Sequence, residues 1–258
     1  MFIVSSLSDI GIKKKVNQDS ILVKKANSDD NNKQIVFAAV CDGMGGLANG
    51  ELASSHLVSE LNNWFDNTLP DMINKGISNN KIKESLTALI LRANEVIAAF
   101  GEKEGTCGTT ISAIFMYMNH YAVVNVGDSR VYKISNDEEL VQITHDQSLV
   151  QDMIDKGKIT EEQAKTHPQR SVLLQCVGAG AKVSPAYNFG EYSEGDLFIL
   201  CSDGFRHKLK KEEIESLFNP KRLNSEGELY ERIKNAIEIN KQRQEQDNIS
   251  VIAIKVKG

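Results

Sequence analysis

Apolar runs of strand length that each meet an aspartate constrain this chain more than any other feature. "IVFAAVC" (35–41) leads into Asp42, "YAVVNVG" (121–127) into Asp128, and "DLFILCS" (196–202) into Asp203. Asp247 stands just before "NISVIAIKV" (248–256), and Asp19 just before the run "ILVKK" (21–25). Three of the five adjoin a glycine (Gly43, Gly127, Gly204), which lets backbone pass close to a ligand. If these strands share sheets, the charges converge at one rim. Two carboxylates ~4 Å apart repel by about 4 kcal/mol at an effective dielectric of ~20. Several together either hold raised pKa values or require a cation. Oxygen donors with no thiolate or histidine pair suit hard ions such as Mg²⁺ or Mn²⁺. Asp-Gly is also a common turn dipeptide, and Asp128 in "GDSR" also fits a turn or helix cap. Repetition at strand ends favours the joint reading.

The order of elements sets the class. "TISAIFMYM", a turn at Asn119-His120 and "YAVVNVG" make one hairpin; "RVYKIS", a turn at Asn136-Asp137 and "ELVQIT" make another. Such short turns require antiparallel pairing. The polar stretch 27–34 reads as a longer hairpin connection before the run that reaches Asp42. One helix places Ala53, Leu57, Leu61 and Trp64 on a face, and a second does so with Ile82, Leu86, Leu89, Ala93 and Val96. Residues 147–180 read as an insertion of small helices, with a capping box from Thr160 to Gln163. "EGELYERIKNAIEINK" is a further helix. Strands and helices come in blocks, which predicts an α+β fold with helices packed outside antiparallel sheets.

Composition excludes several classes. With 258 residues the chain can bury a large core, and a net charge of −5 argues against nucleic acid or an anionic membrane as partner. Cys41, Cys107, Cys176 and Cys201 are widely spaced, which suggests neither a zinc site nor a disulfide framework. The N-terminal "MFIVSSLSDIGIKKK" lacks the pattern of a signal peptide, and no run approaches the ~18 residues of a membrane span, so a cytoplasmic protein is expected.

"GMGGLA" (43–48) matches a dinucleotide fingerprint, with a strand before it and a helix after. Asp42 immediately ahead would repel a pyrophosphate, however, and no strand ending in an acid appears about 20 residues on. No Gly-Lys-Ser/Thr completes a P-loop either. The metal reading is the stronger.

In order along the chain stand "SDIGIKKKVNQDS", "VCDGMGG", "GTT" (108–110), "NVGDSRVY", "THDQSLVQDMIDKGKITEEQAKTHPQR", "LCSDGF" and "QDNIS". Taken together these resemble the PPM, or type 2C, metal-dependent protein serine/threonine phosphatases of bacteria, over nearly the whole chain. The resemblance implies a single domain (1–258) built as a four-layer α-β-β-α sandwich, with a flap at about 147–180. It implies two Mn²⁺ or Mg²⁺ ions. Asp42 would bridge them with the Gly43 carbonyl as a further ligand, Asp203 and Asp247 would complete the shell, and Asp19 would act through metal-bound water. Asp128 would serve a third, weaker ion, shared with Asp203. The implied reaction is hydrolysis of phosphoserine and phosphothreonine on proteins by a metal-bridged hydroxide, opposing a bacterial serine/threonine kinase. No serine–histidine or cysteine nucleophile is evident.

Three departures from that pattern matter. Lys14 stands where members carry a phosphate-binding arginine; it keeps the charge and loses the bidentate fork. His207 stands where another aspartate is common, with Arg206 beside it, which predicts a weak or absent third ion. Gln18 replaces a frequent glutamate and Met44 a histidine, and His167 in "THPQR" is a candidate substrate contact. These changes keep open a pseudophosphatase that binds phosphoprotein or metal without turnover.

Overall fold

The computed structural model describes residues 1–28, 34–45, 49–135, 139–180 and 182–257. The chain opens with strands β1 (Phe2–Asp9), β2 (Asp19–Asn27) and β3 (Gln34–Gly45). Helices α1 (Gly50–Asn63), α2 (Leu69–Asn74) and α3 (Asn79–Glu104) follow, with a π turn at Trp64–Thr68 between the first two. Next come β4 (Cys107–Thr109), β5 (Ile111–Tyr117), β6 (His120–Val126), β7 (Arg130–Ile134) and β8 (Leu140–Gln142). Short helices α4 (Leu149–Asp155) and α5 (Glu161–Lys165) precede β9 (Ala186–Glu191) and β10 (Leu197–Cys201). The chain closes with α6 (Asp203–Arg206), α7 (Lys211–Leu217), α8 (Glu226–Gln242) and β11 (Ile249–Val256).

All strand pairs are antiparallel, and they form two sheets. One has the order β1-β11-β10-β7-β8; the other is β2-β3-β5-β6-β9, with β4 paired to the far end of β3. The period-two alternation of the strands assigns each side chain to a layer. On β3, Ile35, Phe37, Ala39 and Cys41 join Leu57, Leu61, Leu86 and Ile90 of α1 and α3 in one core. Val36, Ala38 and Val40 instead join Phe198, Leu200, Ile252 and Ile254 of the opposite sheet. On the far side, Leu197, Ile199, Val251 and Ala253 pack with Ile214 of α7 and Leu229, Ile233 and Ile237 of α8. Three cores therefore separate four layers, α-β-β-α. Each fully buried side chain of this size contributes about 1.5–3 kcal/mol.

Several local expectations need correction. The β5–β6 turn is Met118-Asn119, one residue earlier than Asn119-His120, because Tyr117 pairs with His120 and both turn residues take positive φ (50° and 62°). That is the two-residue primed turn whose twist matches its strands. Val96 is exposed, and Ile97 takes the core side of α3 in its place. β3 does not stop at Asp42; it runs on to Gly45 by exchanging its partners β2 and β5 for β4. The Asn136-Asp137 turn and residues 46–48 of "GMGGLA" lie outside the described residues, although β7 and β8 do pair. The capping box is present: the Thr160 hydroxyl accepts from the Gln163 N–H and the Gln163 side chain accepts from the Thr160 N–H.

Candidate metal centre

The five aspartates come from one end of the two sheets. Asp19 is the first residue of β2 and lies directly opposite Asp42 on β3. Asp203 is the first residue of α6, just past β10, and Asp247 sits in the loop entering β11. β10 and β11 are neighbours in one sheet, which puts these two acids side by side. α6 lies so close to that loop that a Cβ on Gly204 would strike the Asn248 carbonyl and sit 3.4 Å from the Asp247 Cβ. Asp128 occupies the turn between β6 and β7.

Hydrogen bonds hold this rim from behind. The Thr110 N–H and the Thr109 hydroxyl both donate to the Asp42 carbonyl, at 2.8 and 3.0 Å, while the Asp42 N–H donates to Thr110 Oγ1. This gives the "GTT" stretch its role. The Gly43 N–H donates to the Gln18 carbonyl, and a Cβ at Gly43 would collide with the Gln18 and Gly50 carbonyls. Ser202 Oγ donates to Asp19 Oδ2 at 2.8 Å and accepts from the Ser250 N–H. Asn248 Oδ1 accepts from the Gln18 N–H, and its Nδ2 donates to the Ile10 and Val16 carbonyls, which binds the 10–18 loop to the root of β11.

The electrostatics match a cluster in need of a cation. Burial pushes the Asp19 carboxyl up to about 7; the charges of Asp203 and Asp247 add to this, and hydrogen bonds from Ser250 and Ser202 oppose it. Asp42 is only partly shielded at its surface, yet its carboxyl stands well above the ordinary value. Burial is the main cause, followed by repulsion from Asp19, Asp203, Asp128 and Asp247. Neighbouring strand ends bring these acids close enough for their charges to act on one another. Asp203 Oδ1 is buried without a hydrogen-bond partner, an orphaned acceptor of the kind a hard cation satisfies.

Protein cations occupy the rest. Lys14 Nζ lies 2.7 Å from Asp247 Oδ1. Burial works to lower the Lys14 pKa, but the bond and charge of Asp247, with Asp42 and Asp203 behind it, raise it overall. His207 lies between Asp203 Oδ2 at 3.4 Å and Glu245 Oε2 at 3.6 Å. Asp128 accepts from Arg206 Nη2 at 3.1 Å. Among the described residues, no three acidic, imidazole or thiolate groups close into a ligand shell. Asp247 is turned to Lys14, and Asp203 is shared with His207.

Other sequence candidates have plainer surroundings. Lys13 donates to Gln246. Met44 lies on β3 opposite Gly108. Gln18 donates to Glu51, and His167 Nδ1 accepts from the Gln169 N–H in a local turn after α5. Cys41, Cys107 and Cys201 are buried free thiols, as expected of small core residues. Sequence reasoning gave no role to Ser202, Asn248, Ser250 or Glu245. Ser250 lies inside β11 and Ser202 directly follows β10, where a hydroxyl facing a buried acid was the available signal.

A family model described as protein phosphatase 2C matches residues 12–242. The serine/threonine protein phosphatase PstP of Mycobacterium tuberculosis is 33% identical over 235 residues, 88% of this chain; the match spans 42% of that relative's length. The solved serine/threonine phosphatase of S. agalactiae superposes with a TM-score of 0.86 at 26% identity, covering 100% of both chains. A solved PstP catalytic domain in complex with two manganese ions gives a TM-score of 0.79 at 29% identity, covering 100% of this chain and 99% of that one. Model, relatives and four-layer fold agree: the chain belongs to the protein phosphatase 2C family.

Proposed function

We propose that the chain hydrolyses phosphoserine and phosphothreonine on proteins, using two divalent ions, Mn²⁺ or Mg²⁺, held by the aspartate rim. What supports this reading is that the paired strands β2–β3 and β10–β11 carry Asp42, Asp203 and Asp247 at neighbouring ends, with Asp203 Oδ1 orphaned. Asp42, the Gly43 carbonyl, Asp203 and Asp247 would hold the ions, with Asp19 behind them on its Ser202 hydrogen bond. When bound, such ions supply a hydroxide nucleophile at neutral pH and neutralise charge on phosphoryl oxygens. The manganese ions of the related PstP catalytic domain support that choice.

The chain's own residues do the rest. Lys14 stands at the pocket mouth, 38% exposed, and presents an ammonium to an incoming phosphoryl group once Asp247 engages a cation. Its point charge attracts the phosphate without the two-pronged alignment of a guanidinium. Thr109 and Thr110 fix the Asp42 backbone, so its carboxylate stays aimed at the rim. The whole chain acts as one domain, with 147–180 as a flap rooted by the Ser148–Leu173 and Thr109–Val177 bridges. A bacterial serine/threonine kinase would supply the phosphoproteins. Among the described residues, no helix is long and apolar enough to cross a membrane.

The test is Mn²⁺-dependent release of p-nitrophenol from p-nitrophenyl phosphate and of phosphate from phosphothreonine peptides. Asp42→Ala and Asp203→Ala should each lower kcat at least 10²-fold while the fold persists. The Lys14–Asp247 pair and the open shell favour one alternative, a pseudophosphatase that binds phosphoprotein or metal without turnover. Peptide binding with no Mn²⁺-stimulated turnover would select it.

A further inference from the structure

Arg206 is the most enclosed cation at the pocket. Its side chain is 15% exposed, between Asp128 at 11% and Asp146 at 5%. Nη2 donates to both the backbone carbonyl and the Oδ2 of Asp128, each at 3.1 Å, and lies 3.5 Å from Asp146 Oδ2. Asp146 is in turn clamped by Arg130, through Nε at 2.8 Å and Nη2 at 2.7 Å, while Arg130 Nη1 donates to the Tyr132 hydroxyl. The Asn240 side chain donates to the Phe205 carbonyl at 2.9 Å, which fixes the short helix that presents Arg206. Two arginines and two aspartates thus form a charge-balanced network at one side of the acidic rim, with Arg206 Nε buried and without a hydrogen-bond partner. A fixed guanidinium offers Asp128 the compensation that a bound cation would offer, at no cost in ion capture.

We propose that Arg206 is a tethered counter-ion that withdraws Asp128 from metal ligation, so that this chain holds two divalent ions and no third. The same contact makes Arg206 a positioning residue for the root of the 147–180 segment. Asp146 immediately precedes Gln147, whose N–H donates to the Gly127 carbonyl and whose Oε1 accepts from the Gly127 N–H. Arg206 therefore links Asp128 to the Asp146 that Arg130 clamps at the flap root. His207, directed to Asp203 and Glu245, leaves that task to Arg206. The proposal rests on the metal reading of the pocket for its ion count, and on the Arg206–Asp128 contact alone for its second readout.

Two measurements test it. The first is Mn²⁺ bound per chain by equilibrium dialysis, for wild type, Asp128→Asn, Arg206→Gln and the double variant. Asp128→Asn should leave the count at that of the wild type. Arg206→Gln should gain one weaker ion, which the double variant loses again. A wild-type ion lost on Asp128→Asn would overturn the proposal, as would a folded Arg206→Gln with no added ion. The second is the melting temperature of the same four proteins in EDTA. The double variant should melt no lower than Arg206→Gln, because removing Asp128 relieves the charge left unpaired. Additive losses would overturn the pairing. If Arg206→Gln does not fold, the ion count of Asp128→Asn decides alone. A wild type that binds no Mn²⁺ would sink the metal reading and with it the two-ion count, while the EDTA cycle would still report whether Arg206 neutralises Asp128.

Discussion

Stripping divalent ions from this protein should make it less stable as pH rises from 5 to 7.5, and Asp19 sets the scale. Its carboxyl is raised from 3.8 to about 7 in the fold, first by burial and then by Asp203 and Asp247, against the Ser250 and Ser202 hydrogen bonds. A carboxyl whose folded pKa exceeds its unfolded value keeps its proton longer in the fold. Between those two values the folded chain binds more protons than the unfolded one, so stability falls with rising pH. The loss begins near the unfolded value and is complete above about 7. Of the roughly 3 pKa units about 2 remain to be lost above pH 5, which corresponds to about 2.7 kcal/mol. At ~2.1 cal/mol/K per residue, a chain of this length would then melt roughly 5 °C lower at the alkaline end. Asp42 is raised well above its usual value and Asp128 to about 6, both chiefly by burial, so both act in the same direction. The assay is a set of thermal melts in EDTA across this range, for wild type and Asp19→Asn. The variant should show a shallower slope and a higher melting point than wild type at pH 7.5, and saturating Mn²⁺ should restore the wild type. A wild-type melting point that holds level or rises across the range in EDTA would refute the reasoning. So would an Asp19→Asn variant with the full wild-type slope.

Three further substitutions probe the pocket. Lys14→Arg restores a planar fork at the pocket mouth and should lower KM for phosphopeptides severalfold, read from steady-state kinetics; an unchanged or higher KM would detach Lys14 from substrate. Gly43→Ala drives a methyl group into the Gln18 and Gly50 carbonyls, so it should cost about 1–3 kcal/mol in urea melts and weaken Mn²⁺ affinity; a neutral result would mean the backbone there can shift. Asn248→Ala leaves the Gln18 N–H and the Ile10 and Val16 carbonyls without their partner, at a cost of about 1–3 kcal/mol each where water cannot replace it. It should raise KM through the loosened lysine loop more than it lowers kcat.

Much of this molecule was legible because its strands follow simple rules. Alternation along "IVFAAVC" and "DLFILC" sorts side chains between layers, and both duly divide into helix-facing and sheet-facing sets. The strands that escaped notice break those rules. β1 carries three serines and β9 holds Asn188 and Gly190 at a sheet edge. In β1 the polarity has a use at the site: Ser8 bonds to Ser250, and Asp9 accepts from both the Gly11 N–H and Lys241. β3 outran its apolar stretch because pairing with β4 satisfies the backbone of Gly43 and its neighbours whatever their side chains.

The site divides along a related line. An aspartate at the end of an apolar run can be placed from its own neighbours, since strand geometry carries it to the rim. What neutralises it cannot, because the partner arrives from elsewhere in the chain. Ser202 and Asp19 are 183 positions apart, and Arg206 and Asp128 are 78 apart. Lys14 reaches Asp247 from the opposite end of the chain. Local reading therefore finds the charges of such a pocket and misses their balance. That balance decides which acids remain available to an ion. Asp203 keeps a buried oxygen with no partner, whereas Asp128 already accepts from the Arg206 guanidinium.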